Sequence, residues 1–368
     1  MPMPMKIIIS GGGTGGHVYP AIAIADAFRQ IDPATEILFV GAEGKMEMNA
    51  VPKAGYKIIG LPISGLQRSL SLRNVSLVFK LASSLFKAWN IIGNFKPDAV
   101  IGVGGYASGP VLKVAEWRKI PYFIQEQNSY AGITNKLLGN RASAIFVAFK
   151  GMERFFPKDK IILAGNPVRN DFLHLPSRDD ARRILGIHPD KKTIGIFGGS
   201  LGARTLNEAV SAHANEIEQR QDLQLLWQVG RTYKEEFVRK HVSQLPNVFL
   251  FDFIDRMDCA YAASDVCVAR AGAITLSELA VTGTPAILVP SPNVAEDHQT
   301  KNAETMVGED AAGMVPDRVA KEELWQSCMS LLRDASQQEK YKRGLSAVAR
   351  PNAALTIARE VIKMIHQN

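Results

Sequence analysis

Lys6-Ile7-Ile8-Ile9-Ser10-Gly11-Gly12-Gly13-Thr14-Gly15-Gly16-His17 opens with three branched aliphatics, runs into glycines, and then meets the start of a longer apolar pattern. β-Branched residues suit an extended strand, and an unbroken apolar run suits one buried on both faces. The glycines permit a tight turn whose main-chain N–H groups can face an anion, and residues from about 20 to 31 continue as a helix. The expected product is a parallel βα unit.

The pattern recurs along the chain. Residues 36–40, 99–103, 122–125, 144–147 and 160–164 are further strand candidates, separated by segments long enough for helical crossovers. After Gly165-Asn166-Pro167 the chain becomes polar, Ser177-Arg178-Asp179-Asp180 offers a helix start, and a second series begins at Lys191. Its strands are expected over 193–197, 223–228, 248–251, 266–269 and 286–289. Its opening, Ile194-Gly195-Ile196-Phe197-Gly198-Gly199-Ser200-Leu201-Gly202-Ala203, echoes the first. The fold expected is α/β, with two doubly wound parallel-sheet domains facing across a cleft and a linker near 166–178. Both glycine turns then lie at the carboxyl ends of strands, where open α/β sheets bind ligands.

At 368 residues, 46% hydrophobic and 21% charged, the chain is packed rather than disordered and too long for one core. Cys259, Cys267 and Cys328 lack zinc or disulfide spacing and read as buried, reduced thiols. The first residues run into a strand without an apolar signal region, and no stretch approaches the ~20 apolar residues of a spanning helix, so a cytoplasmic chain with only peripheral membrane contact is expected. Residues 1–170 hold 20 Lys and Arg against 10 Asp and Glu, whereas the remainder holds 23 against 26. The asymmetry points the first domain towards an anionic surface, nucleic acid or lipid headgroups, unless it is only a solvated basic face.

Gly11, Gly13 and Gly16 match the dinucleotide fingerprint, but the second strand ends without the acid that would hold a ribose, and Glu43 follows a few residues later. His17, where turn becomes helix, is a candidate base beside an anion site, or else a helix-start residue that only caps or packs. Gly102-Val103-Gly104-Gly105-Tyr106-Ala107-Ser108-Gly109-Pro110 is another glycine turn, and Gln125-Glu126-Gln127-Asn128 places four polar residues at the end of a central strand. Arg169, at the domain junction, suits a phosphate or an interdomain ion pair. Thr275 and Glu278 share one helical face, as a capping box or as part of a sugar-nucleotide site with Glu278 on the ribose. Asp297-His298-Gln299-Thr300-Lys301-Asn302 is polar enough for sugar hydroxyls. With no Asp-x-Asp, Walker lysine, serine elbow or HExxH, no metal site is expected, and diphosphate charge falls to helix N-termini and basic side chains.

Between residues 72 and 96, Leu72, Val75, Leu77, Val78, Phe79, Leu81, Leu85, Phe86, Trp89, Ile91 and Ile92 interleave with Arg73, Lys80, Lys87 and Lys96. That exceeds one core-facing stripe. A helix with one face in its domain and a second facing lipid fits, with Phe79, Lys80, Phe86, Lys87, Trp89, Trp117, Arg118 and Lys119 facing the membrane. Ordinary core burial is the alternative.

The order and spacing of Gly12–Gly13-Thr14-Gly15-Gly16-His17, the Tyr106 turn, Glu126-Gln127-Asn128, Gly165-Asn166-Pro167-Val168-Arg169, Gly198 to Ala203 and Gly272 to Glu278 closely resemble the peptidoglycan N-acetylglucosaminyltransferases. The likeness runs from about residue 6 to 365. It implies two Rossmann-like domains of the GT-B type: residues 1–170 for the acceptor and membrane, 171–345 for UDP-GlcNAc, and 346–368 as a C-terminal helix returning to the first domain. It further implies inverting transfer of GlcNAc from UDP-GlcNAc to the C4 hydroxyl of the muramyl residue of a lipid I acceptor, undecaprenyl-diphosphate-MurNAc-pentapeptide. Thr14, Gly15, Gly16, Asn128, Arg169, Ser200, Ile254, Thr275, Glu278 and Gln299 would bind the donor, and His17, Tyr106 and Glu126 would act on the acceptor side. Gln125 stands where many relatives have His. No tightly bound cofactor is expected, a divalent ion at most stimulates, and the partners are anionic lipids and other cell-wall synthesis enzymes rather than nucleic acid. The place it implies is the cytoplasmic face of the inner membrane, as a peripheral protein. A UDP-GlcNAc 2-epimerase, an NAD-dependent oxidoreductase and a nucleotide-sugar sensor are the competing functions.

Overall fold

The computed structural model describes residues 4–63, 73–294 and 297–367, with only the backbone of 73–78. Leu72 and the side chains of Arg73, Val75, Leu77 and Val78 lie outside the described residues. The chain forms two compact units, Met1–Arg169 with Pro351–Asn368, and Asn170–Arg350.

The first unit contains strands β1 (Lys6–Ser10), β2 (Glu36–Ala42), β3 (Lys57–Leu61), β4 (Ala99–Gly102), β5 (Tyr122–Glu126), β6 (Ala144–Val147) and β7 (Ile161–Leu163). They pair in parallel in the order β3-β2-β1-β4-β5-β6-β7. Helices α1 (Gly15–Ile31), α2 (Glu47–Lys53), α3 (Arg73–Phe95), α4 (Ser108–Trp117) and α5 (Ile133–Gly139) lie between them. Ile7, Ile8 and Ile9 are wholly buried. Because successive strand side chains point to opposite faces, Ile7 and Ile9 join one core with Ile24 and Phe28, while Ile8 joins another with Ala88, Ile92 and Leu112. Burial of each such side chain contributes about 1.5–3 kcal/mol.

The second unit contains α6 (Arg178–Leu185), β8 (Lys192–Phe197), α7 (Arg204–Ala212), α8 (Ala214–Glu218), β9 (Leu223–Gln228), α9 (Lys234–Phe237), β10 (Val248–Phe251), α10 (Met257–Ala263) and β11 (Val266–Ala269). Then follow α11 (Ala273–Thr282), β12 (Ala286–Leu288), α12 (His298–Gly308), β13 (Gly313–Met314), α13 (Ala320–Arg333) and α14 (Ala335–Val348). The parallel strand order is β10-β9-β8-β11-β12-β13. A last helix, α15 (Ala353–Gln367), packs on α1 of the first unit and buries Ile357, Ala358 and Val361 there.

In each sheet the winding reverses beside its first strand, between β1 and β4 and between β8 and β11. Such a switch point splays the flanking loops apart and opens a crevice at the strands' carboxyl ends. The three thiols are buried, and burial pushes all of them upward, Cys328 to about 12, so they stay protonated and inert at neutral pH.

Candidate functional site

In the first unit the loops after β1 and β4 interlock at the switch point. Gly12 N donates to the Gly104 carbonyl at 3.3 Å. A Cβ on Gly105, at φ 83°, would lie 2.3 Å from the Gly12 carbonyl oxygen, so only glycine allows this approach. The helix after the first turn starts at Gly15, earlier than the periodicity predicts, because its packing face of Val18, Ala21, Ile24, Ala25 and Phe28 outweighs the poor propensity of two glycines. Thr14 caps it by position, and His17 falls in its first turn.

His17 has a defined tautomer. Its Nδ1 lies 3.1 Å from the Gly12 carbonyl oxygen and 3.2 Å from Thr14 Oγ1. A carbonyl only accepts, so Nδ1 carries a hydrogen, and in the neutral ring Nε2 then holds the lone pair. A Cβ on Gly104 would come within 2.8 Å of Nε2, so glycine there makes room for the ring.

The amides of the first three glycines are engaged within the fold. Gly11 N donates to Val40 O at 3.3 Å, Gly12 N to Gly104, and Gly13 N to Glu47 Oε2 at 2.9 Å. Glu47 is 1% exposed, and its Oε1 accepts from Ala42 N at 3.0 Å at the end of β2. The sequence reading missed this residue, having sought its acid at the end of the second strand itself. With a carboxylate seated on Gly13, the turn does not offer a dinucleotide diphosphate its usual cradle, and the fingerprint match is misleading.

Glu126, at the tip of β5, is 2% exposed. Oε1 accepts from Asn128 N at 3.0 Å and Asn128 Nδ2 at 3.4 Å, and Oε2 accepts from Gly132 N at 3.0 Å and Asn135 Nδ2 at 2.8 Å. Such a carboxylate shapes the loop that carries Asn128. Beneath it, Gln125 Nε2 donates to Asn166 Oδ1 at 2.9 Å, Gln127 Nε2 to Gln125 Oε1 and to Val103 O, and Asn166 Nδ2 to Gln127 O. This buried amide network joins three loops. Tyr106 stands 54% exposed, and the Arg169 guanidinium lies 5.9 Å from the centre of the Tyr19 ring.

In the second unit the turn after β8 leaves Ser200 and Leu201 exposed. Gln228 Nε2 holds the Gly199 carbonyl at 2.9 Å, and a Cβ on Gly202, at φ 85°, would meet Val229 O at 2.1 Å. After β11, Gly272 is the N-cap of α11, with no side-chain cap. Thr275 therefore lies inside the first turn and forms no capping box with Glu278. Glu278 is half-buried and accepts from Tyr261 Oη at 3.1 Å. Ile254 is buried, and Gln299 Oε1 accepts from Ser291 N at 2.8 Å.

Helix α3 has two apolar faces. Ala88, Ile91 and Ile92 enter the core, whereas Phe79, Phe86 and Trp89, at helical spacing, stay exposed. Arg118 lies 4.0 Å over the Trp89 ring and donates to its carbonyl, Trp117 is 52% exposed, and Lys87 pairs with Glu43 at 2.8 Å. Lys80 and Lys119 are exposed. Among the described residues no helix is long and apolar enough to cross a membrane, and no cluster of His, Cys, Asp and Glu is arranged to hold a metal.

Models of the glycosyltransferase family 28 N-terminal and C-terminal domains match residues 7–147 and 193–356, one in each doubly wound unit, and make the chain a two-domain glycosyltransferase. A UDP-N-acetylglucosamine--N-acetylmuramyl-(pentapeptide) pyrophosphoryl-undecaprenol N-acetylglucosamine transferase of Bacteroides fragilis is 49% identical over 99% of this chain and 97% of its own length. One of Phocaeicola vulgatus is 51% identical over 98% of this chain and 96% of its own. The crystal structure of MurG from Acinetobacter baumannii superposes with a TM-score of 0.77 at 29% identity, covering 98% of this chain and all of that one. The chain belongs to this family of N-acetylglucosamine transferases. A UDP-N-acetylglucosamine 2-epimerase structure, with a TM-score of 0.69 at 14% identity, shares the fold alone.

Proposed function

We propose that the chain transfers GlcNAc from UDP-GlcNAc to the C4 hydroxyl of N-acetylmuramic acid in undecaprenyl-diphosphate-MurNAc-pentapeptide, with inversion. The near-full-length likeness to transferases of that name supports the substrates. The observation that carries the chemistry is the His17 tautomer, whose Nε2 lone pair can take the proton of an attacking hydroxyl. The hydroxyl oxygen bonds to the anomeric carbon as the bond to the diphosphate breaks, and UDP leaves with that electron pair.

In this reading Thr14, Gly15, Gly16, Asn128, Arg169, Ser200, the Ile254 main chain, Thr275 and Gln299 contact the donor, and Glu278, steadied by Tyr261, accepts hydrogen bonds from the ribose. Tyr106 meets the acceptor, and Glu126 holds the loop between them. Helix N-termini and Arg169 meet diphosphate charge. The first unit serves the acceptor and the membrane and adds donor contacts through Thr14, Gly15, Gly16, Asn128 and Arg169, and the second unit holds the nucleotide. Incubation with labelled UDP-GlcNAc and a short-chain lipid-linked muramyl-pentapeptide should yield lipid-linked disaccharide and UDP. Conversion of UDP-GlcNAc to its 2-epimer without acceptor would instead identify an epimerase.

The exposed aromatics of α3 and Trp117, with the cations beside them, suit peripheral docking at the cytoplasmic face of the inner membrane, where such an acceptor presents its headgroup. Each cation near an anionic surface adds about 1 kcal/mol, a contribution that salt screens. A variant that reverses two exposed cations of this face, Lys80 and Lys119, tests the reading. Wild type should sediment with phosphatidylglycerol vesicles better than with neutral ones, and Lys80→Glu/Lys119→Glu should shrink that difference. Equal sedimentation of variant and wild type would place lipid contact elsewhere.

A further inference from the structure

One peptide group joins Glu47 to His17. The N–H of the Gly12–Gly13 peptide is the Gly13 donor to Glu47 Oε2 at 2.9 Å, and its C=O is the Gly12 acceptor of the His17 Nδ1 hydrogen at 3.1 Å. The peptide is trans, as are all others among the described residues, so its N–H and C=O point in opposite directions across a rigid plane. The carboxylate sits at one edge of that plane and the imidazole at the other.

Glu47 is held as firmly as the peptide. Its second oxygen accepts from Ala42 N, and glycines wall it in: a Cβ on Gly12 would lie 2.1 Å from Oε1, and one on Gly41 would lie 2.6 Å from Cγ. A buried carboxylate is costly unless donors meet it. A carboxylate bound to an amide N–H also polarises that amide, and its carbonyl becomes a stronger acceptor.

We propose that Glu47 is a positioning residue that orients His17 and fixes its tautomer through the Gly12–Gly13 peptide, as a carboxylate orients histidine directly in a hydrolase triad. The proposal deepens the reading of His17 as base and rests on it. Glu47→Gln keeps the shape but leaves one carbonyl oxygen for two amide donors, so either Gly13 N or Ala42 N faces another N–H. Glu47→Asp, one methylene shorter, does not span both amides.

The test is ¹⁵N NMR of histidine-labelled full-length protein, with His17 identified by the signal lost in His17→Gln. Wild type should show a protonated Nδ1 and an unprotonated Nε2. In Glu47→Gln the two His17 shifts should move towards each other while the other six of the seven histidines stay put. Turnover should fall by about 10- to 100-fold, comparable to the loss when the outer partner of a metal-bound histidine is removed, with donor KM unchanged. A folded variant with an unaltered His17 signature overturns the proposal, whether or not turnover falls. If Glu47→Gln does not fold, Glu47→Asp is read the same way, and unfolding of both makes Glu47 a core residue and also overturns it. Failure of the underlying reading is distinct: His17→Ala would then turn over normally, while the NMR comparison still decides whether Glu47 holds the ring.

Discussion

After β1, the glycine amides donate to Val40, to Gly104 and to the carboxylate of Glu47, and the turn carries His17 on its far side. After β8, the turn is tied down through Gln228 and the close approach of Gly202 to Val229, and its tip, Ser200 and Leu201, stands in solvent. Both turns open helices beside a switch point. The first gives one amide to a buried acid and carries a histidine beyond it, whereas the second holds an exposed tip in front of α7; neither helix has a side-chain cap bond at its N-cap. A glycine-rich strand-to-helix turn therefore does not announce a phosphate site by itself; what is seated against its amides decides its use.

The sharpest way to break this contrast is His17→Ala. If the first turn serves chemistry, kcat should fall by roughly 10²- to 10⁴-fold, the usual worth of a positioned base. Near-normal turnover in steady-state assays would leave the first turn as scaffold. A smaller effect is expected of Glu278→Ala, which should raise donor KM by roughly 10- to 150-fold, corresponding to about 1.5–3 kcal/mol for hydrogen bonds to a charged group. Unchanged donor KM in the folded variant would remove Glu278 from the nucleotide. The finest distinction is between two glycines. Gly199→Ala carries only the strain of φ 83°, since its Cβ meets nothing within 4 Å, whereas Gly12→Ala, itself at φ 154°, also drives its Cβ into Glu47. Denaturant unfolding should find Gly12→Ala the less stable by about 1–3 kcal/mol, the cost of disturbing a buried bonded group. Equal losses would mean that Glu47 yields freely.

The sheets were legible because a parallel strand buried on both faces is a largely apolar run; β10 and β11 begin and end where those runs do, and β6 and β9 cover the residues expected of them. Two strands were missed. Lys57–Leu61 is an edge strand broken by Gly60, and Gly313–Met314 has two residues, so neither carries a run long enough to read. His17 and Glu278 were visible because they lie in helices opened by glycine turns that declare themselves. Glu47 was not: its role comes from α2 folding back under the first turn, a tertiary contact across 34 residues with no local periodicity to betray it. The likeness of the two turns was equally legible, and their difference was not, because it depends on that same contact.

Calorimetric titration of UDP into His17→Ala and Glu278→Ala tests the division of labour most directly, because it reads donor binding without chemistry. The account predicts that His17→Ala binds UDP as wild type does, while Glu278→Ala binds it roughly 10- to 150-fold more weakly. Loss of UDP affinity in His17→Ala equal to that in Glu278→Ala, or none in Glu278→Ala, would contradict it.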